Sequence, residues 1–517
     1  MGIRKRLGVQ DALWLEMDRP NNLMVVDSVI WTAEPLEWDR VGPVIEERLT
    51  ERYPVFRSRA VCGDDGSWWW EEDEAFSLDD RVTAVELDDP DDPRELQRLV
   101  TRHRTEMLPR DEPLWRALWV PRYRAGSAIV LRSHHAVADG MRMVQLSMSL
   151  FDASPEGGPV LGPGVTQHGA HPAEPGQAPA ERLRAGLTGV GQRLSGGAGR
   201  ARDAGQRAAH LVGCGSDAVA DAARLALTNP LGAGHSLVTG AWAGAGRVAT
   251  SVRSTLQSAV PGGGALHDVF SAAPGDVDTV RKLLLGTRND VAPWTGAAGV
   301  DKVVAWSETL PLADVKRVAR AHRATVNDVL VTCVAGALHA YLVAHDRHCA
   351  SVTFMVPVNL KPIDLTLPDD LGNSFALVQL ELPTDQDDLT RVLEVAMQRM
   401  SRIKHGHEAA IAFRIQEGIA GLSRGIYETS VDLLANRTIG TLTNVPGPPM
   451  PVYLAGCRVE GMVGWAPLSG DQPMSFTIYS YDGRVIVGVA CDRGLVPDHE
   501  TIVEGFAAAF DELLATV

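Results

Sequence analysis

A CxxC pair, a ladder of cysteine spacings and an unbroken apolar run of about 18 residues are all missing from this 517-residue sequence. The six cysteines, Cys62, Cys214, Cys333, Cys349, Cys457 and Cys491, lie far apart. We therefore expect reduced, mostly buried thiols in a cytoplasmic protein rather than a disulfide framework. The nearest approach to a membrane span, 326–344, is interrupted by Asn327, Asp328 and His339, and reads as an amphipathic or buried helix. The N-terminal stretch MGIRKRLGVQDALWLEMD has basic residues but neither the apolar core nor the cleavage site of a signal peptide. Positive charge is also short: 49 Lys and Arg stand against 65 Asp and Glu, a net charge of −16. That argues against nucleic acid as a partner, while leaving room for a local basic funnel that takes an anionic substrate. No HExxH, His–Cys cluster or second histidine box is present, so no metal centre is expected.

What is present is ordinary for a soluble globular protein: 45% hydrophobic and 22% charged residues, in a chain long enough for two domains. Residues 24–31 and 128–135 read as strands, and 40–53 and 93–108 as helices, giving an α/β or α+β lobe over 1–155. From 276 to 517 the same alternation returns, with helices at 311–323 and 325–345 and strands at 351–360, 376–383 and 484–492. Between them, 156–275 is dominated by Gly, Ala, Pro and Ser and reads as an interdomain linker with helical segments. Its 181–260 stretch holds nine arginines and four acids. A sharper reading makes this a basic amphipathic segment in peripheral contact with a membrane or lipid-droplet surface.

Residues 133–140 read SHHAVADG. Strand alternation places Ile129, Leu131, Ser133 and His135 on one face and Val130, Arg132 and His134 on the other. The two histidines should therefore point to opposite sides. Met141, Val144, Met148 and Phe151 then fall at helical spacing, and Asp139 is placed to cap that helix. A neutral imidazole is suited to taking a proton from a hydroxyl near neutral pH. A carboxylate one turn away can hold the loop, and Gly140 permits either a sharp turn or close approach of a substrate. The plainer alternative is a pair of satisfied core histidines. A second motif, GLSRG at 421–425, matches the GxSxG nucleophile elbow, but its flanks read as helical where the elbow needs an entering strand; chance accounts for it better.

HHAVADG (134–140), PLW (113–115), ATVNDVLVTCVAGALHAYL (324–342), MVPVNLKP (355–362), LGNSF (371–375), TNVPGPP (443–449) and SYDG (480–483) together resemble, in order, the blocks of the bacterial wax ester synthase/diacylglycerol acyltransferase family. The HHxxxDG block alone is shared with condensation domains and other chloramphenicol-acetyltransferase-like enzymes. The resemblance implies two related lobes, each a mixed sheet flanked by helices, with a substrate tunnel between them. It implies acyl-CoA as co-substrate, diacylglycerol or a fatty alcohol as acceptor, direct attack on the thioester, and no cofactor. Residue by residue, it makes His135 the general base, gives His134 a supporting role, makes Asp139 structural and has Gly140 form the turn. It puts Asn327 and Asp328 in service of the site from the second lobe, and Pro113, Leu114, Trp115 and Asn444 at the substrate. Read from the residues alone, Asn327 and Asp328 are a helix cap, and Trp115 is either core or pocket lining. One departure stands out: in 293–306 the family's Asn-Gly and basic residues are replaced by Thr295, Gly296 and a lone Lys302. Two alternatives stay open, a condensation-type acyltransferase with a carrier-protein donor and a lipid-binding relative without turnover.

Overall fold

The computed structural model describes residues 4–158, 160, 292–359, 371, 375–405 and 436–517. The chain divides into one unit of Met1–Ala170 with Asp278–Val517 and a second of His171–Val277. The second unit, and with it the basic 181–260 stretch, lies outside the described residues, as does GLSRG at 421–425.

Three sheets build the first unit. A small antiparallel one joins β1 (Arg4–Arg6), β4 (Trp68–Glu72) and β3 (Ser58–Cys62). A six-stranded sheet runs in the order β13 (Tyr453–Leu454), β14 (Cys457–Trp465), β2 (Val25–Thr32), β7 (Gly126–His134), β6 (Trp115–Tyr123) and β5 (Val82–Ala84). A seven-stranded sheet runs β11 (Phe375–Pro383), β10 (Ser351–Asn359), β12 (Gly440–Pro446), β15 (Met474–Tyr481), β16 (Arg484–Asp492) and β8 (Lys302–Trp306), with β9 (Leu310–Pro311) also on β16. Both large sheets are mixed: β5–β6, β10–β12 and β12–β15 pair parallel, and the other pairs are antiparallel. The two-lobe reading therefore needs one correction. Residues 453–465, which the sequence reading assigned to the C-terminal lobe, complete the N-terminal sheet, with β14 lying antiparallel to β2. Tyr481 secures the crossing: its hydroxyl donates to the Val459 carbonyl at 2.8 Å and accepts the Val452 N–H at 2.9 Å.

Strand alternation along β7 works as its sequence suggests. Ile129 and Leu131 pack into one apolar cluster with Trp115, Ala117 and Leu146. Ala128 and Val130 pack into another, with Val304, Trp306, Val463 and Ile486. The second cluster also takes Leu96, Leu99 and Val100 from the helix Pro93–Arg104, which starts where Asp92 accepts the Arg94 N–H at 2.9 Å. That helix also covers an open sheet edge. On β8, the Val304 N–H donates to Thr101 at 3.2 Å and the Trp306 carbonyl accepts from Gln97 at 3.4 Å.

The helix Val326–Ala344 is apolar and long enough to cross a bilayer by composition, yet 72% of its apolar window is buried. It is the core helix of the C-terminal lobe, lying between the helices Leu389–His405 and Glu500–Leu514, with Gly336 facing Leu389 and Ala509. Its start is fixed by a capping box. Thr325 accepts the Asp328 N–H at 3.2 Å, and Asp328 accepts the Thr325 N–H at 2.8 Å. Thr325→Ala removes the first of these bonds and is expected to cost about 1 kcal/mol. It should lower the denaturant midpoint without changing the slope of the transition; an unchanged midpoint would show that the box contributes nothing.

Of the described cysteines, Cys333, Cys349, Cys457 and Cys491 are buried and Cys62 is exposed, and all five are free thiols.

Candidate active site

The histidine pair sits where β7 ends against β2 and runs into the helix Gly140–Leu150. As expected, Asp139 is that helix's N-cap, its Oδ1 accepting the Arg142 N–H at 2.8 Å. The turning role expected of Gly140 is corrected. Its φ is not positive, it is the first helical residue, and a Cβ built there meets no described atom within 4 Å. The glycine is therefore not needed to bend the chain, and a small side chain would fit in its place.

His134 is fully buried. Its Nδ1 accepts the Ala136 N–H at 3.1 Å. Its Nε2 faces Asp18 Oδ2 at 3.6 Å, beyond hydrogen-bond length but within electrostatic reach. Burial is the largest influence on this ring and pushes its pKa down, outweighing the opposing pull of Asp18. His134 is therefore neutral at pH 7. With Nδ1 acting as acceptor, its one proton belongs on Nε2, toward the carboxylate. For Asp18, burial pushes the pKa up, but His134, the Met24 N–H at 2.8 Å and Arg110 more than offset it, so the carboxyl lies below its ordinary range and is ionised. Arg110 Nη2 reaches both Asp18 Oδ2 at 2.8 Å and the Leu15 carbonyl at 2.9 Å.

His135 is placed differently. Its N–H donates to the Met24 carbonyl at 2.8 Å, and its ring lies against Trp14 with centroids 4.4 Å apart. Trp14 belongs to the helix Val9–Met17, which ends just before Asp18. Trp14, Asp18, Met24 and Arg110 were not singled out from sequence. Asp18 and Trp14 precede the motif by more than a hundred residues, and no local pattern distinguishes this one acid among 65.

The Pro-Leu-Trp block lies behind the histidines. The Leu114 carbonyl accepts the His134 N–H at 2.9 Å, and Pro113 bridges to Arg59. Trp115 is 1% exposed, its indole donating to the Phe56 carbonyl at 2.8 Å. In the second lobe, Asn327 and Asn444 come together, the Asn444 side-chain amide donating to Asn327 Oδ1 at 2.7 Å. Asp328 Oδ2 is taken up by the capping box, and its buried Oδ1 has no hydrogen-bond partner. In the unusual 293–306 segment, Lys302 proves structural: it is buried and pairs with Asp492 at 2.7 Å, on the carboxylate oxygen that also accepts the Gly299 N–H at 2.7 Å.

The family model described as the wax ester synthase/diacylglycerol acyltransferase catalytic domain matches residues 7–259, and that of the family's C-terminal domain matches 371–514. A candidate diacylglycerol O-acyltransferase of Mycobacterium tuberculosis is 26% identical over 534 aligned residues, covering 99% of this chain and 97% of that protein. Among solved structures, the wax ester synthase/diacylglycerol acyltransferase from Marinobacter aquaeolei VT8 superposes with a TM-score of 0.60 at 16% identity, covering 99% of both chains. The first condensation domain of the calcium-dependent antibiotic synthetase gives 0.54 at 16% identity, covering 99% of this chain and 96% of that one. At such identities the structural likeness speaks for the fold alone.

Proposed function

Because the chain belongs to the wax ester synthase/diacylglycerol acyltransferase family, and is thus an acyltransferase, we propose that it moves a long-chain fatty acyl group from coenzyme A to the hydroxyl of diacylglycerol or of a long-chain alcohol. His135 acts as general base. It takes the hydroxyl proton as the oxygen attacks the thioester carbon; the C–O bond forms, the C–S bond breaks, and the thiolate of coenzyme A leaves and is reprotonated. No acyl-enzyme and no cofactor take part. Asn327 and Asn444 serve the substrate from the second lobe.

The observation that carries the assignment of the base is the unequal placement of the two histidines. His134 accepts a backbone N–H at Nδ1, turns Nε2 toward an ionised carboxylate and is held neutral by burial. A ring so committed cannot also collect a proton from an incoming alcohol, which leaves that role to His135. Both acceptors are insoluble in water, so we place the reaction at a lipid surface. Vesicle flotation of the intact protein should find it on the membrane, and protein left wholly in the aqueous fraction would count against that placement. The test of the function itself offers acyl-CoA and acyl-carrier thioesters in parallel: ester from acyl-CoA supports the proposal, and ester from the carrier thioester alone supports a condensation-type enzyme instead.

A further inference from the structure

We propose that Asp18 and Arg110 are positioning residues for His135, fixing both the backbone that carries the base and the ring stacked on it. The proposal rests on the reading of His135 as the base and extends it to two residues that are not part of the HHxxxDG motif.

Three connections run from this ion pair to His135. The first passes through Met24: its N–H donates to Asp18 Oδ1 at 2.8 Å, and its carbonyl accepts the His135 N–H at 2.8 Å. The two peptide groups flanking the Met24 Cα thus tie the carboxylate to the main chain of the base. The second passes through His134, whose Nε2 faces Asp18 Oδ2 at 3.6 Å while its Nδ1 accepts the Ala136 N–H at 3.1 Å. Asp18 thereby selects the tautomer that leaves Nδ1 open as an acceptor, and the residue following His135 is held by it. The third passes through Arg110, whose Nη2 bonds Asp18 and the Leu15 carbonyl. Leu15 directly follows Trp14, the ring packed against His135. Asp18 has a side chain 1% exposed, and Met24 and His134 are fully buried, so water cannot substitute for these bonds.

Reaction rates are steep in such placement: an error of about 1 Å in a reacting group can cost roughly a hundredfold. Asp18→Asn keeps the shape and removes the charge. An amide can present its N–H instead of an acceptor to His134, which frees the ring to change tautomer or rotate. We expect kcat per folded enzyme to fall by about a hundredfold with KM within about twofold, and circular dichroism to match the wild type. Arg110→Met keeps much of the side chain's bulk but removes the cation and the Nη2 donor that holds both Asp18 and the Leu15 carbonyl, and should lose kcat in the same direction. Loss of stability alone would not produce the accompanying spectroscopic change. In protein labelled with 15N at histidine, the wild type should show a neutral ring at pH 7 that carries its proton on Nε2, and that signature should disappear in Asp18→Asn. Folded Asp18→Asn with wild-type kcat overturns the proposal. So does a wild-type spectrum with no such ring, which decides the matter even if neither variant folds. A wild-type protein that transfers no acyl group to any acceptor defeats the proposed function instead, and the spectrum then still tests the placement.

Discussion

His135→Ala is expected to lower acyl transfer by about a hundred- to ten-thousandfold, the range that general-base catalysis supplies, while the protein stays folded. The structure explains why the two effects separate. The bond that holds residue 135 in place is made by its main-chain N–H to Met24, so it survives the substitution. The ring itself lies against Trp14, centroids 4.4 Å apart. The matching change one residue earlier should behave in the opposite way. His134→Ala removes a fully buried ring that receives the Ala136 N–H, so that donor is left unpaired in the interior. It should cost stability as well as activity. Equal loss of fold in both variants would contradict the division of labour between the two histidines.

The largest stability effect is expected at Asp27. Its carboxylate accepts from Arg132 Nε at 3.0 Å and from Arg104 Nη1, and all three side chains are at least nine-tenths buried. The guanidinium groups also use carbonyls: Arg104 donates to Ala466 at 3.1 Å and Arg132 to Glu106 at 2.9 Å. Burial pushes the Arg104 pKa down, and Asp27 is the group that opposes this. Asp27→Ala would leave Arg104 without its carboxylate and facing Arg132, which would keep only Glu106 Oε2 at 3.9 Å. Breaking a buried ion pair from one side costs about 3–5 kcal/mol, and the denaturant midpoint should fall accordingly with little change of slope. A second substitution, Arg104→Met, should recover part of that loss, because the two positions share one carboxylate and their effects should not add. A loss below about 1 kcal/mol in Asp27→Ala would mean that water reaches the cluster.

Sequence alone revealed those features whose cause is local. The period of two along 128–131 split the apolar residues between two clusters as read, because a strand's side chains alternate whatever it pairs with, while β7 itself ends at His134. Asp139 could be read as a cap because the helical stripe after it starts in the next turn, and the strands and helices on either side of the 325–345 helix follow from their own periodicity. Partners distant in the chain were not legible. Nothing in 457–465 says that it pairs with 25–32, since its pattern fits either sheet equally well. Asp18 and Arg110 reach His134 only through the fold, from 116 residues and 24 residues away. Lys302 looked like the remnant of a basic site segment and turned out to balance Asp492, a pairing across 190 residues. For Gly140, a glycine before a helix suggests a turn, whereas here the backbone is ordinary helix.

The most direct test of the account is to incubate purified protein with radiolabelled palmitoyl-CoA, offering hexadecanol and diacylglycerol in parallel, and to follow the label. The account predicts labelled wax ester or triacylglycerol, released with one free thiol of coenzyme A per ester and lost in His135→Ala. Label retained covalently on the protein, or esters formed equally by His135→Ala, would contradict it.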